Sequence, residues 1–426
     1  MKSKSKRDDL IINISILLIT LFIGFLILEL TVRLMGFTDK TGQFYFNGQK
    51  VRPFVGIAQT EQQKIYAFIN NSQNLYMGYD HTLGWSIRPN YKFNELYKSN
   101  SQGIRSEKEY SIKKNNDAIR IALFGDSFVH GDDGPFNESW GFYLEKYLND
   151  KGVKSEVINF GVPAYGNDQS YLRYKKEGYK YSPDIVIIGF QAENFNRNVN
   201  LFRFFYYSNE VNLPLSKPRF IEDGYRLKMI NQPAIKPELL IDYINANPDF
   251  FQKYDLYFYP KDSLLKRIFL KSKLMGILIT KCPGCGGQYN KFYYKNVTNI
   301  YNLNEEPARL AHKIIKNFKE EAEKNGAEVF IIHLPKVSDL GIKMKTGYYG
   351  YQQIFDKLMD ETKVIDPAPE MIEEAKKTSL ESFARKYHYS DKAGKIIAEV
   401  TAGYVLNNSM VLNDVNIYKP YKYTIK

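Results

Sequence analysis

Cysteine is almost absent, with two residues in 426, Cys282 and Cys285, both in "KCPGCGG". One such pair is half a zinc site, and no second pair exists to complete it. The pair is left as a small loop disulfide or as two thiols. No thioredoxin-like strand-helix-strand pattern surrounds it, which argues against redox catalysis. Histidine is scarce too: the five histidines show no metal-ligand spacing, so neither a metal nor another cofactor is expected. The formal net charge of +12 comes without any basic block, because the lysines are spread along the whole chain. Signatures of nucleic-acid recognition modules are missing as well, so nucleic acid is not expected as the partner. No internal repeat is evident.

What the chain does have begins near its N-terminus. From Leu10 to Leu28, "LIINISILLITLFIGFLIL" runs for 19 residues without a charge, about the length needed to cross a hydrocarbon core of roughly 30 Å. Lys2, Lys4, Lys6 and Arg7 outnumber Asp8 and Asp9 on the preceding flank, which favours a cytoplasmic N-terminus with the remainder outside. The following "ELTVRLMGF" offers no small-x-small cleavage site, so an uncleaved anchor is favoured over a signal peptide. The expected organisation is a cytoplasmic N-terminus and membrane anchor over 1–36 and a membrane-proximal stalk over 37–79. An extracytoplasmic domain over 80–410 and a tail over 411–426 complete it.

Within that domain the pattern alternates. "IRIALFG", "SEVINFG" and "DIVIIGFQ" read as strands, separated by the amphipathic helices "ESWGFYLEKYLND" and "DQSYLRYKKEGYK". After residue 199 the pattern breaks for about a hundred residues. It resumes with a helix near 307–324, the strand "AEVFIIHLP", a helix near 350–361, the short strand "KVID" and a last helix over 391–406. Alternation of this kind predicts an α/β fold, a parallel sheet with helices on both faces. Residues 199–305 then form an insertion or cap.

Loops at the carboxyl ends of parallel strands converge, and ligands bind in the crevice there. Ser127, in "FGDSFVHG", lies just beyond such an end. A serine hydroxyl needs a base to take its proton and donors to hold the oxyanion formed on attack. The loop "NFGVPAYGND" can aim backbone N–H groups, Asn194 in "GFQAENFNRN" carries a side-chain amide, and His388 in "KYHYSDKAGK" precedes the last helix. Taken alone, Ser127 suits a helix N-cap, Asn194 a turn and His388 a capping position. Together they make an acyl-transfer site.

In this order and spacing, "FGDSF", "NFGVPAYG", "IIGFQAEN" and "HYSDKAGKIIAE" resemble the four blocks of the SGNH (GDSL-type) hydrolase superfamily. "LGWSIRP" and "NSQGIRS" upstream resemble the leader of its membrane-anchored bacterial members. The resemblance implies a three-layer, flavodoxin-like domain in which Ser127 is the nucleophile, His388 the general base and Asn194 an oxyanion donor. It places the second donor, a glycine N–H in the family, on Ala164.

The match of motifs has three departures. Alanine keeps the N–H but takes a positive φ at a cost glycine avoids. Either the loop has a negative φ at Ala164, or Gly161 supplies the donor instead. The family's aspartate three residues before the histidine is Arg385 here, so another group must orient His388: Glu381, Asp366 or a backbone carbonyl. Phe195 stands where an aspartate commonly follows the asparagine. Arg197 and Arg203 are candidates for a substrate carboxylate or phosphate, with salt bridges as the competing use. His130 reads as a loop residue near the mouth of the site and a candidate substrate contact, and His333 as a buried, satisfied side chain.

The expected activity is a serine esterase acting on ester-linked acyl groups, O-acetyl foremost, of a cell-surface polysaccharide. The 34 tyrosines and 28 phenylalanines add only weak support for a carbohydrate. Acyl transfer to a glycan hydroxyl and a non-catalytic binding role on a decayed hydrolase fold are the alternatives.

Overall fold

The computed structural model describes residues 6–38, 44–51, 59–93, 96–115, 117–206, 213–258, 272–281 and 300–414. Cys282 and Cys285 lie outside the described residues. The chain forms two units, one of residues 1–66 and 241–298, the other of residues 67–240 and 299–426. The stretch 199–305, expected as one insertion, is therefore divided between them.

In the first unit a single helix spans Lys6–Met35. Its stretch Leu10–Met35 is long and apolar enough to cross a membrane, by length and composition. The hydroxyls of Ser15, Thr20 and Thr31 donate to the carbonyls of Ile11, Ile16 and Ile27 one turn earlier, so they need no water. Near the helix's end, Glu29 accepts from the backbone N–H groups of Lys273 and Leu274 and from Ser272 Oγ, each at 2.9 Å. It thereby caps the helix Lys273–Lys281, whose free N–H groups favour a carboxylate. Leu274 and Ile277 of that helix pack on a small core of Val32, Phe44 and Val51.

The second unit is built on a five-stranded sheet. Its strands are β1 (Ile119–Phe124), β2 (Ser155–Asn159), β3 (Ile185–Phe190), β4 (Glu328–His333) and β5 (Val364–Ile365). They pair in parallel in the order β2-β1-β3-β4-β5, the flavodoxin-like order. The middle strand, "IVIIGF", is buried at every residue, as a strand covered on both faces requires. Arg120 in β1 is buried as well. Its guanidinium donates to Glu156 at 2.6 Å and to the Tyr181 carbonyl at 2.7 Å, so the buried charge keeps partners.

Helices that frame this sheet and the crevice at its carboxyl edge include α1 (Ser127–His130), α2 (Trp140–Asp150), α3 (Asn167–Lys176), α4 (Asn194–Asn198), α5 (Glu306–Lys324) and α6 (Asp391–Asn408). α2 packs against α6 and β2, while α5 packs against α3, α4 and β4. The fold is thus a three-layer α/β sandwich. α1, α3 and α4 all start just past the carboxyl ends of β1, β2 and β3, which brings their first residues together.

Candidate active site

β1 ends at Phe124, and the chain turns at once into α1. A Cβ on Gly125 would lie 2.3 Å from Val129 Cγ2, so only glycine permits so close a turn. Asp126 Oδ1 accepts from the Phe128 N–H at 2.9 Å and caps α1. With the cap supplied by its neighbour, Ser127 is free of that duty. Its Oγ lies 2.8 Å from Nε2 of His388.

His388 stands in a tight hairpin of Ala384–Arg385 and His388–Tyr389, directly before Ser390, whose Oγ caps α6. The ring of Phe128 packs against the imidazole at a centroid distance of 5.0 Å. The acid on the far side of the ring is neither Glu381 nor Asp366. It is Asp133, whose Oδ2 lies 2.7 Å from His388 Nδ1. Asp366 Oδ1 is instead 2.8 Å from Nδ1 of His333, and Glu381 is exposed on the short turn Leu380–Phe383. Arg385, at the family's acid position, turns away to Glu138 at 2.5 Å.

This geometry assigns the tautomer. Nδ1–H donates to Asp133, and Nε2 is left to accept from the serine hydroxyl. Burial alone would lower the His388 pKa, but the Asp133 hydrogen bond and the charges of Asp132, Asp133 and Asp126 outweigh it and raise the pKa above 6.5. Burial opposes ionisation of Asp133. The hydrogen bond and charge of His388, with the N–H of Tyr387, nonetheless hold it below its ordinary value.

Ala164 has φ 67°, within the left-handed region. The chain therefore takes the conformation that alanine disfavours, rather than avoiding it. Gly161 does not substitute for it, because its N–H donates to Asn159 Oδ1 at 2.9 Å. Asn194 Oδ1 accepts from Arg197 at 3.0 Å, which leaves the Asn194 amide N–H groups facing away from Arg197.

The GDSL-like lipase/acylhydrolase family model matches residues 121–401. The chain belongs to that family. It is an SGNH-type ester hydrolase, and its blocks are the strand ends just described. Similar solved structures include a catalytic mutant of an acetylxylan esterase from Geobacillus stearothermophilus, at 10% identity and TM-score 0.36, covering 69% of this chain and 96% of that one. A lipase/acylhydrolase from Enterococcus faecalis is 13% identical at TM-score 0.33, covering 68% of this chain and 96% of that one. A member of the lipolytic G-D-S-L family from Veillonella parvula is 11% identical at TM-score 0.34, covering 68% and 98%. No curated protein matches the chain.

In this GDSL-family hydrolase His333 is buried and satisfied as expected, while other candidates take different places. Arg197 is buried, and its NH1 donates to Asp126 Oδ2 at 2.8 Å, the Tyr165 carbonyl at 3.0 Å and Asn194 Oδ1 at 3.0 Å. It binds the Asp126 cap, the Ala164 loop and the asparagine to one another. Arg203 is also buried, with its guanidinium over the Tyr206 ring. His130 is fully buried rather than at the mouth: Nε2 lies 2.9 Å from the Tyr76 hydroxyl, and burial pushes its pKa down to about 4. His333 is buried between Asp366 and Tyr351. Phe195 packs in the core against Phe190 and Tyr301. Among the described residues no group of three or more His, Cys, Asp or Glu is arranged to hold a metal.

Asp133 is the residue that motif reading missed. It lies in "HGDDG", six residues after the serine, and the only sequence signal was an acid pair in a loop beside the nucleophile.

Proposed function

We propose that this hydrolase removes short acyl groups, acetyl foremost, from hydroxyls of a cell-surface polysaccharide, with Ser127, His388 and Asp133 as its catalytic triad. The observation that carries the proposal is the unbroken chain from Ser127 Oγ through the His388 imidazole to Asp133, at 2.8 Å and 2.7 Å. His388 takes the serine proton as Oγ bonds to the ester carbonyl carbon. The oxyanion is held by the Asn194 amide and the backbone N–H of Ala164. Collapse breaks the carbon–oxygen bond to the alcohol, which leaves with the proton from His388. Water then attacks the acyl-serine, His388 takes its proton, and that proton returns to Ser127 as the acid departs.

Two features support the substrate class. A cavity lined by Ser127 and His388 with Phe128, Trp140, Glu138 and Arg385 offers about 10 Å³, room for one water-sized group. A short acyl group such as acetyl is the reading this favours. Past the ends of β3 and β4 a polar cleft of about 220 Å³ is lined by Gln191, Glu193, Asn196, Tyr206, Lys336 and Asp339. Gln191 Nε2 is buried there without an acceptor among the described residues. Burial opposes ionisation of Glu193, but Arg197 and Lys336 keep it charged, with its pKa pushed down to about 2. Donors and acceptors so mixed fit a hydroxyl-rich alcohol better than an apolar one. The apolar helix Leu10–Met35 is read as a single-pass anchor that keeps the enzyme at the cell surface, N-terminus inside.

The test is hydrolysis of 4-nitrophenyl acetate by the detergent-solubilised full-length protein. Turnover should be lost in Ser127→Ala and fall sharply as the acyl chain lengthens from acetyl to octanoyl. Equal, slow rates for wild type and Ser127→Ala would sink the proposal. Turnover that needs an added glycan would assign acyl transfer instead.

A further inference from the structure

Asp133 does not hold its place unaided. It sits between Gly131 and Gly134 with φ 66°, left-handed for a residue that has a Cβ, and such a conformation persists only where the surroundings impose it. They do so from upstream in the chain. The Arg105 side chain, buried to 1% exposure, donates through NH1 to the carbonyls of His130 (2.9 Å) and Gly131, and through NH2 to those of Gly134 (2.5 Å) and Leu96 (3.0 Å). The loop that carries Asp133 is thus gripped on both sides. Between these two grips, the Asp133 N–H donates to the Tyr97 hydroxyl at 3.3 Å, and the Tyr97 ring lies under the Arg105 guanidinium at 5.3 Å.

We infer that Arg105 and Tyr97 are positioning residues of this hydrolase, which set the triad acid against His388 from a segment that precedes the catalytic sheet. The inference rests on the triad proposed above. Neither side chain bonds to His388 or to the Asp133 carboxylate, so both act through the loop backbone. The four carbonyls are matched by the planar fork of an arginine, which a lysine ammonium does not reproduce although it keeps the charge. The titratable groups facing His388 are Asp133, Asp132 and Asp126 together with His130, while Arg105 faces the Asp132 and His130 side.

Charge and grip predict opposite signs, which makes the role testable. If Arg105 acted only as a nearby positive charge, its loss would raise the His388 pKa. If it holds Asp133 in place, its loss lets the acid drift and the His388 pKa falls. The experiment compares full-length Arg105→Lys, Arg105→Gln and Tyr97→Phe, each alone and combined with Asp133→Asn. It measures 4-nitrophenyl acetate hydrolysis and titrates the His388 ring protons by NMR. Arg105→Lys should lower kcat about 10- to 100-fold and Tyr97→Phe a few-fold, with KM little changed and the His388 midpoint lower in both. In the Asp133→Asn background neither should lower kcat further.

An Arg105 or Tyr97 effect that multiplies unchanged onto Asp133→Asn, or a His388 midpoint that stays or rises, overturns the inference. If the Arg105 variants fail to fold, Tyr97→Phe carries the same decision. If wild type has no esterase activity, the triad proposal fails on that ground. The NMR midpoint then decides the positioning role by itself.

Discussion

Asp133 Oδ2 and His388 Nδ1 lie 2.7 Å apart although 255 residues separate them in the chain. The carboxylate beside the imidazole comes from the loop that follows Ser127, not from the segment around the histidine.

Replacing that acid should therefore be costly where replacing the others is not. Asp133→Asn is expected to reduce kcat by about 10²- to 10⁴-fold, since an amide partner loses both the charge and the correct tautomer. Glu381→Gln should stay within about threefold of wild type, because its side chain is exposed and hydrogen-bonds no part of His388. Steady-state kinetics on one acetyl ester separates the two.

The pH profile follows from the direction of the His388 shift. The base must be neutral to accept the serine proton, and Asp133 favours its charged form, raising its pKa above 6.5. Activity should fall as pH drops through that raised value, placing the acid limb of kcat/KM above 6.5. In Asp133→Asn the stabilising charge is gone, so the limb moves to lower pH while the plateau drops. An acid limb that moves upward contradicts the assignment.

Ala164 offers a stability test. A left-handed alanine costs about 1–2 kcal/mol, and glycine removes that strain while adding about 0.5–1 kcal/mol of unfolded-chain entropy. Ala164→Gly should leave stability equal or raise it by up to about 1.5 kcal/mol, with activity retained. Ala164→Val adds a branched side chain at φ 67° and should lower both. Thermal unfolding and initial rates on the same samples read the outcome.

Arg197 joins three blocks at once through Asp126, Tyr165 and Asn194. Arg197→Met leaves Asp126 buried and without its charge partner, at a cost of about 3–5 kcal/mol. It also frees the asparagine amide to turn. We expect a lower melting temperature together with a kcat loss larger than any KM change. A substrate-binding arginine would show the reverse, with KM rising while stability held.

The sequence by itself determined the class of fold and the placement of three of the four motifs. Alternating strands and helices require a parallel sheet, and "FGDSF", "IIGFQAEN" and "HYSDKAGK" put a serine, an asparagine and a histidine past strand ends or before the last helix. These are local properties, carried by residues near one another in the chain. Tertiary structure alone decided the rest. Which carboxylate meets His388 depends on where a hairpin near residue 388 touches a loop near residue 133, and no periodicity reports a contact across 255 residues. Whether Arg197 serves a substrate or a salt bridge stayed open in the sequence, because charge is visible there and burial is not. Ala164 resolved against both expectations for the same reason: φ is set by the packing of a whole loop, and the residue type only changes its cost.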